Sequence, residues 1–221
     1  MGRINFNDLQ HYKTSSDSMV PYFSLKNHKD TAKVRVLANT IEDLRPCVVH
    51  EISMEFNGKK YTKYVNCLRE YSDPYDMCPF CANGNKQLIK FFIPVYDERD
   101  GKTKVWIRHK SFEEKLSSFM SRYAREGSIA GLPIEIERNG QPGDTKTAYE
   151  LYPMGQNDGK TVRDFPDAPK IIGGAIYDKN ADELRAYLST GSFDTTASNN
   201  TAPFNEDFPR RRTPNNDESV Y

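Results

Sequence analysis

Cys47-Val48-Val49-His50, Asn57-Gly58-Lys59-Lys60, Cys67 and Cys78-Pro79-Phe80-Cys81 follow one another in a single short stretch. Two cysteines three apart across a Pro-containing turn put both sulfurs on one side of a tight knuckle. One or two further ligands from a neighbouring hairpin complete a tetrahedral set of the Zn²⁺ type. All four cysteines of the chain lie between positions 47 and 81. A disulfide or buried free thiols would use the same residues. However, residues 1–20 lack the basic start, apolar run and cleavage site of a secretory signal. In a reducing cytosol such spacing favours metal over disulfide. One structural Zn²⁺ is therefore the expected cofactor.

The hairpin around Asn57-Gly58 sets the fourth ligand. With a four-residue turn, Phe56 faces Tyr61 and His50 faces Cys67. With a two-residue turn, Cys67 faces Val48. The first register is the expected one and makes His50 the partner of Cys67, Cys78 and Cys81. Cys47 is the competitor, and its odd offset from His50 sends it to the other face of a regular strand.

Outward from this module the chain alternates strands and turns. Lys33 to Leu37 alternates charged and apolar residues, as a half-buried strand does. Residues 85–90 suggest a short helix. Phe91 to Asp97 and Lys102 to His109 read as a hairpin whose second strand sends Lys104, Trp106 and Arg108 to one face and Val105 and Ile107 to the other. That alternation suits a sheet with its core on one side and a ligand on the other. Ser111-Phe112-Glu113-Glu114 reads as a capping box opening a helix with Phe112, Leu116, Phe119, Met120 and Tyr123 on its packing stripe. Leu132 to Arg138 and Thr147 to Pro153 form a further hairpin. Residues 155–178 read as loop, and Asn180 to Leu188 as a capped helix ending at Gly191. The expected class is mainly β, a β-rich α+β fold. Its expected architecture is a five-stranded antiparallel barrel of the OB type with an inserted zinc hairpin at about 47–85. A flexible arm is expected at 1–21, the core at 22–191 and a disordered tail at 192–221.

The chain has 31 Lys+Arg against 31 Asp+Glu, but they are unevenly spread. Residues 1–110 hold 18 basic and 13 acidic residues, and the second half reverses the ratio. A basic half interleaved with aromatics suits single-stranded nucleic acid, which needs cations along its phosphates and ring faces for its bases. Lys33, Arg35, Lys60, Lys86, Lys90 and Arg108 are the candidate cations. Tyr75, Phe91, Tyr96 and Trp106 are the candidate rings. The sequence has no phosphate-binding Gly-Lys-Ser/Thr loop, nucleophile elbow or His-Glu-x-x-His. A closed Cys₃His site is structural, so an enzyme is not expected. No apolar run approaches membrane length, and no small-molecule substrate is expected.

The run from His50 through Asn57-Gly58-Lys59, Cys67 and Tyr75-Asp76 to Cys78-Pro79-Phe80-Cys81 resembles the zinc region of the T-even-type phage helix-destabilising proteins. The resemblance implies an OB fold that coats single-stranded DNA in replication, recombination and repair, in the cytoplasm of a bacterial host. It implies a DNA contact for Tyr75. It also implies replication proteins as partners of the C-terminal tail. Here the arm is net neutral, and the tail sets Asp194, Glu206, Asp207, Asp217 and Glu218 against Arg210, Arg211 and Arg212, a weaker acidic bias than the family carries. The competing expectation is a zinc-ribbon adaptor that binds a replication or transcription protein.

Overall fold

A computed structural model of the chain describes residues 20–44, 46–56, 58–123, 127–144, 147–166 and 174–193. The expected arm and tail fall almost wholly outside these residues. Of the arm, Val20 is buried and the Pro21 carbonyl accepts from Val105 N at 2.9 Å. Of the tail, Phe193 packs 4.6 Å from the Tyr187 ring.

Eight strands make one sheet: β1 (Thr31–Val36), β2 (Cys47–Phe56), β3 (Lys59–Asn66), β4 (Leu88–Asp97), β5 (Lys102–His109), β6 (Ile134–Asn139), β7 (Ala148–Pro153) and β8 (Ile176–Tyr177). Three α-helices lie wholly among the described residues: α1 (Pro79–Ala82), α2 (Glu113–Tyr123) and α3 (Ala181–Thr190). The order is β7-β6-β1-β4-β2-β3-β8, with β5 also paired to β4. The chain is mainly β, as expected. Its sheet is not closed among the described residues, so backbone pairing does not complete the expected five-stranded barrel.

β4 organises the sheet. β5 pairs along one edge from Lys90 to Asp97. The other edge is shared end to end, β1 taking residues 95–97 and β2 taking 88–90. Pro94 sits at the gap between them. Val105 opposite it directs both its N–H and its C=O outward, to Pro21 and Phe23. The Pro94–Val105 pair is thus a non-hydrogen-bonded one, and on the other edge Pro94 O accepts from Leu37 N at 2.8 Å, just past the end of β1. The donor that proline lacks would have answered Leu37, and the β1 ladder accordingly stops at Val36.

Alternation along these strands fills two cores. Val34, Val36, Phe91, Ile93, Val95, Trp106, Ile134 and Ile136 lie on the face covered by Leu116, Phe119 and Met120 of α2. Val49, Tyr64, Phe92 and Val105 lie on the opposite face, with Val20 and Ala175. The expectation of a ligand-facing side is therefore corrected. Period-2 alternation does separate Trp106 from Val105, but both faces are covered. Trp106 is 1% exposed and Phe91 4%. The indole is edge-on to Phe23, Phe112 and Tyr149, with centroids 5.9, 5.1 and 5.5 Å away.

Three local expectations also change, the first being the loop expected at 155–178, which includes β8, paired parallel to β3. Residues 85–90 are not helical, because Leu88, Ile89 and Lys90 give their backbone to β2. The cap of α2 is not Ser111: Nδ1 of His109 accepts from Ser111 N at 3.4 Å and a 3₁₀ turn, Lys110–Phe112, precedes the helix. The last helix agrees with the expected ends. Asn180 accepts from Asp182 N and Glu183 N, and Gly191 closes it with φ 73°.

Asp97, at the end of β4, is fully buried and bonds Arg99 Nη2 and Lys104 Nζ at 2.7 Å each. Burial alone raises its pKa, but the two cations outweigh it and hold the carboxyl at about 2. A depressed carboxyl adds stability that is complete above pH ~4 and lost as pH falls towards the folded value, an effect of about 2 kcal/mol. Chemical denaturation of the wild type between pH 5 and 2 should show this loss, and Asp97→Asn should be less stable at pH 7 and flatter over that range. Trp106→Ala should cost about 3–5 kcal/mol by the same measurement, as truncation of a buried large ring does. A near-neutral result would place the ring outside the core.

Candidate metal centre

The hairpin adopts the two-residue turn. Phe56 pairs with Lys59, His50 with Val65 and Val49 with Asn66, and Cys67 N donates to Val48 O at 3.1 Å. The four-residue register, in which His50 faced Cys67, is thus corrected. The ligands still converge. Val65 lies opposite His50, so both point to one face, and Cys67 two residues on points the same way. The histidine and cysteine form a diagonal pair instead of a direct one.

The knuckle closes against that face. Pro79 opens α1 at a position where no N–H is needed, and Ala82 N bonds Cys78 O at 2.9 Å. His50 Nε2 is 3.5 Å from Cys78 Sγ and 3.6 Å from Cys81 Sγ, and Cys81 Sγ is 3.7 Å from Cys67 Sγ. One donor atom from each of His50, Cys67, Cys78 and Cys81 lies within 4.8 Å of the others. This group could hold one metal ion. Cys47 takes no part: it lies on the opposite face, beside Val49 and Leu88, where burial pushes its thiol up.

The surroundings orient the donors. His50 is buried, and its Nδ1 lies 3.1 Å from Lys86 O. Donation from Nδ1–H to that carbonyl leaves the Nε2 lone pair facing the sulfurs. Gln87 Nε2 donates to Cys67 Sγ at 3.1 Å. Burial, then the sulfurs of Cys67 and Cys78, push the Cys81 thiol up to about 12 with protein groups alone. A bound cation reverses that balance, because it stabilises the thiolates directly.

The floor of the site comes from a region the sequence reading kept apart. Ile52, Val65, Phe80 and Leu184 form one buried cluster with Cys78 and Cys81. Tyr187 stacks on Phe80 at 5.9 Å and donates to Ser53 O at 2.8 Å. Asn66 clamps the approach to α3, accepting from Lys179 N at 2.8 Å and donating to Lys179 O at 3.1 Å. The module therefore includes α3 as well as residues 47–85. The capping signal at Asn180 revealed the helix, but nothing local to it revealed its partner.

The candidate nucleic-acid contacts do not gather into one cleft. Arg35 is buried and committed, with Glu98 at 2.9 Å, Asp158 at 3.0 Å and Gly131 O at 2.9 Å. Tyr96 packs on Phe165 at 5.0 Å. Lys90 donates to Tyr64 Oη at 3.0 Å. Arg108 lies across Tyr149, 4.2 Å from the ring centroid. Lys33, Lys60 and Lys86 are exposed and make no ion pair among the described residues. Tyr75 is 65% exposed, and the exposed Tyr71 and Met77 flank it in sequence. Arg69 was missed by the sequence reading. Its guanidinium lies 4.1 Å from the Tyr75 ring, and its Nη1 bonds Gln87 Oε1 at 3.1 Å. A chain of contacts thus runs from Cys67 through Gln87 and Arg69 to Tyr75.

Comparison of the chain with family models, with curated proteins and with solved structures gives no match. Among the described residues no helix is long and apolar enough to cross a membrane.

Elemental analysis of protein purified without chelator should give one metal per chain. Cys78→Ser should lose it and melt at lower temperature, whereas Cys47→Ser should keep it. Metal retained by Cys78→Ser and lost by Cys47→Ser would reverse the ligand assignment.

Proposed function

We propose that this chain is a zinc-containing single-stranded DNA-binding protein that performs no reaction on its ligand. The observation that carries the reading is the exposed ring of Tyr75, held by Arg69 on the rim of the four-ligand centre. Base stacking needs a ring that is open to solvent yet fixed in place, and a guanidinium on one face fixes it without covering the other. The resemblance of the His50-to-Cys81 run to the T-even-type phage helix-destabilising proteins supports the same role for Tyr75. Lys86 and Lys60 supply unpaired positive charge on the same module.

Zinc is the metal that suits the donors. With Zn–S of about 2.3 Å and Zn–N of about 2.0 Å, tetrahedral edges are about 3.8 Å between sulfurs and about 3.5 Å from sulfur to nitrogen. Three of the six separations match these edges, 3.7 Å for Cys67–Cys81 and 3.5 and 3.6 Å from His50 Nε2 to Cys78 and Cys81, and all six are within 4.8 Å. Three thiolates and an imidazole leave no open position, so the ion would tie the hairpin, knuckle and α3 together. Protection of single strands in phage replication, recombination and repair is the role that follows, with replication proteins as partners of the tail.

Anisotropy titration with labelled oligo-dT and with duplex of equal length tests this reading. Binding should favour the single strand and fall with salt, each neutralised phosphate adding about −0.7 to the log–log slope. Tyr75→Ala should weaken binding by ~1–3 kcal/mol while the zinc content stays at one. Equal affinity for duplex and single strand at matched salt would overturn it.

A further inference from the structure

A second basic site lies beside α2, away from the metal centre. A cavity of about 480 Å³ is lined by Arg108, His109, Ser111, Phe112, Lys115 and Tyr149, with Thr147 and Ala148 at its edge. No carboxylate of the described residues lines it. Arg108 lies flat on Tyr149, and its guanidinium carbon is 5.0 Å from the Trp106 ring centroid. Its Nε donates to Ile107 O, and it forms no ion pair among the described residues. Burial pushes the guanidinium below its ordinary value; Tyr149 opposes that push and Arg138 adds to it. Arg138 bonds the other side of Tyr149 at Oη, 3.0 Å away, and gives its remaining donors to Leu25 O, Gly140 O, Gln141 O and Thr147 Oγ1. Lys115 bridges Tyr149 O at 2.8 Å and Glu150 at 2.6 Å. Three cations therefore surround one tyrosine, with a single paired carboxylate among them.

We infer that this cavity binds a phosphomonoester carried by a nucleoside, with the phosphate against Arg108 and the base against Phe112. The inference goes beyond strand binding and does not depend on it. A half-buried cation with no acid partner among the described residues is costly, and an incoming anion removes that cost. The planar fork of arginine matches phosphate oxygens in pairs. The excess of cations over carboxylates suits a group of charge near −2, which a phosphomonoester carries at neutral pH. The cavity is within the ~300–1,000 Å³ range of small-ligand sites, so a base fits beside the phosphate. Two sources share this chemistry: a free nucleotide, and the phosphorylated end of a strand.

Calorimetric titration of the full chain distinguishes them, with emission from Trp106, the single tryptophan of the chain, as a second signal. Thymidine monophosphate should bind saturably, inorganic phosphate should compete with it, and thymidine should not bind. Arg108→Lys should weaken binding by at least about tenfold, because the charge remains but the fork is lost. Arg108→Gln should abolish it. Tighter binding of 5′-phosphoryl than 5′-hydroxyl oligo-dT, with the difference lost in Arg108→Gln, would identify a strand end as the source. Equal oligonucleotide affinities alongside nucleotide binding would identify the free nucleotide. Equal binding of thymidine and its monophosphate, or unchanged binding in a folded Arg108→Gln, would overturn the inference. If Arg108→Gln does not fold, failure of inorganic phosphate to compete in the wild type overturns it instead. Oligo-dT binding without any terminal-phosphate or nucleotide response would overturn this inference and leave the strand-binding proposal standing.

Discussion

β4 is the constraint on which the rest depends. One strand gives its backbone to β5 along one edge and divides the other between β1 and β2. Its side chains enter both cores, Phe91, Ile93 and Val95 on one face and Phe92 on the other. A strand buried on both faces cannot also present a binding surface. The rings and cations that reach solvent therefore sit at its ends or beyond them: Lys86 just before it, Arg108 near the end of its partner strand, Tyr75 in the loop leading to it. Pro94 is compatible with this central position because its absent donor falls where the β1 ladder ends, opposite Leu37.

The local signals of the sequence located the long strands and the two long helices, but missed β8 and the extended backbone at 88–90, and were insufficient for the surroundings of each element. Alternation gave β5 its bounds, Lys102–His109, and the Asn180 and Gly191 caps bounded the last helix. The metal ligands were legible because knuckle spacing and strand parity are local rules. They survived an error in register, since a shift of the turn by two residues preserves which face each side chain takes. The burial of Trp106 was not legible. Whether the second face of a sheet is covered depends on α2, on residues 20–23 and on the approach to β8, which no window around Trp106 contains. Arg35 was misread for the same reason. Its partners Glu98, Asp158 and Gly131 come from three separate parts of the chain.

The metal module joins segments that are distant in sequence. Residues 47–81 have few apolar side chains of their own, and Leu184, Tyr187 and Phe193 supply the missing surface. With an ion bound, the four donors would act as a covalent-like crosslink between the hairpin and the knuckle, and Phe80 would carry that crosslink into contact with α3. Small modules of this kind lack a core large enough to stand alone, and a metal with a borrowed helix face makes up the deficit.

On the strand-binding reading, the same module explains why Tyr75 can be exposed and still ordered. A free tyrosine side chain would lose rotamer freedom on stacking against a base, which opposes binding. Arg69 removes much of that cost beforehand. Its Nε bonds Asp73 O at 2.6 Å, its Nη1 bonds Gln87, and its plane rests on the ring. Gln87 in turn donates to Cys67, so the order of the ring derives from the order of the metal ligands. Loss of the ion would free Cys67 first, then Gln87 and Arg69, and only then Tyr75. Metal and DNA affinity would be coupled in this arrangement without the ion touching DNA, because a ligand that binds a pre-ordered ring meets a smaller entropic cost than one that binds a mobile ring.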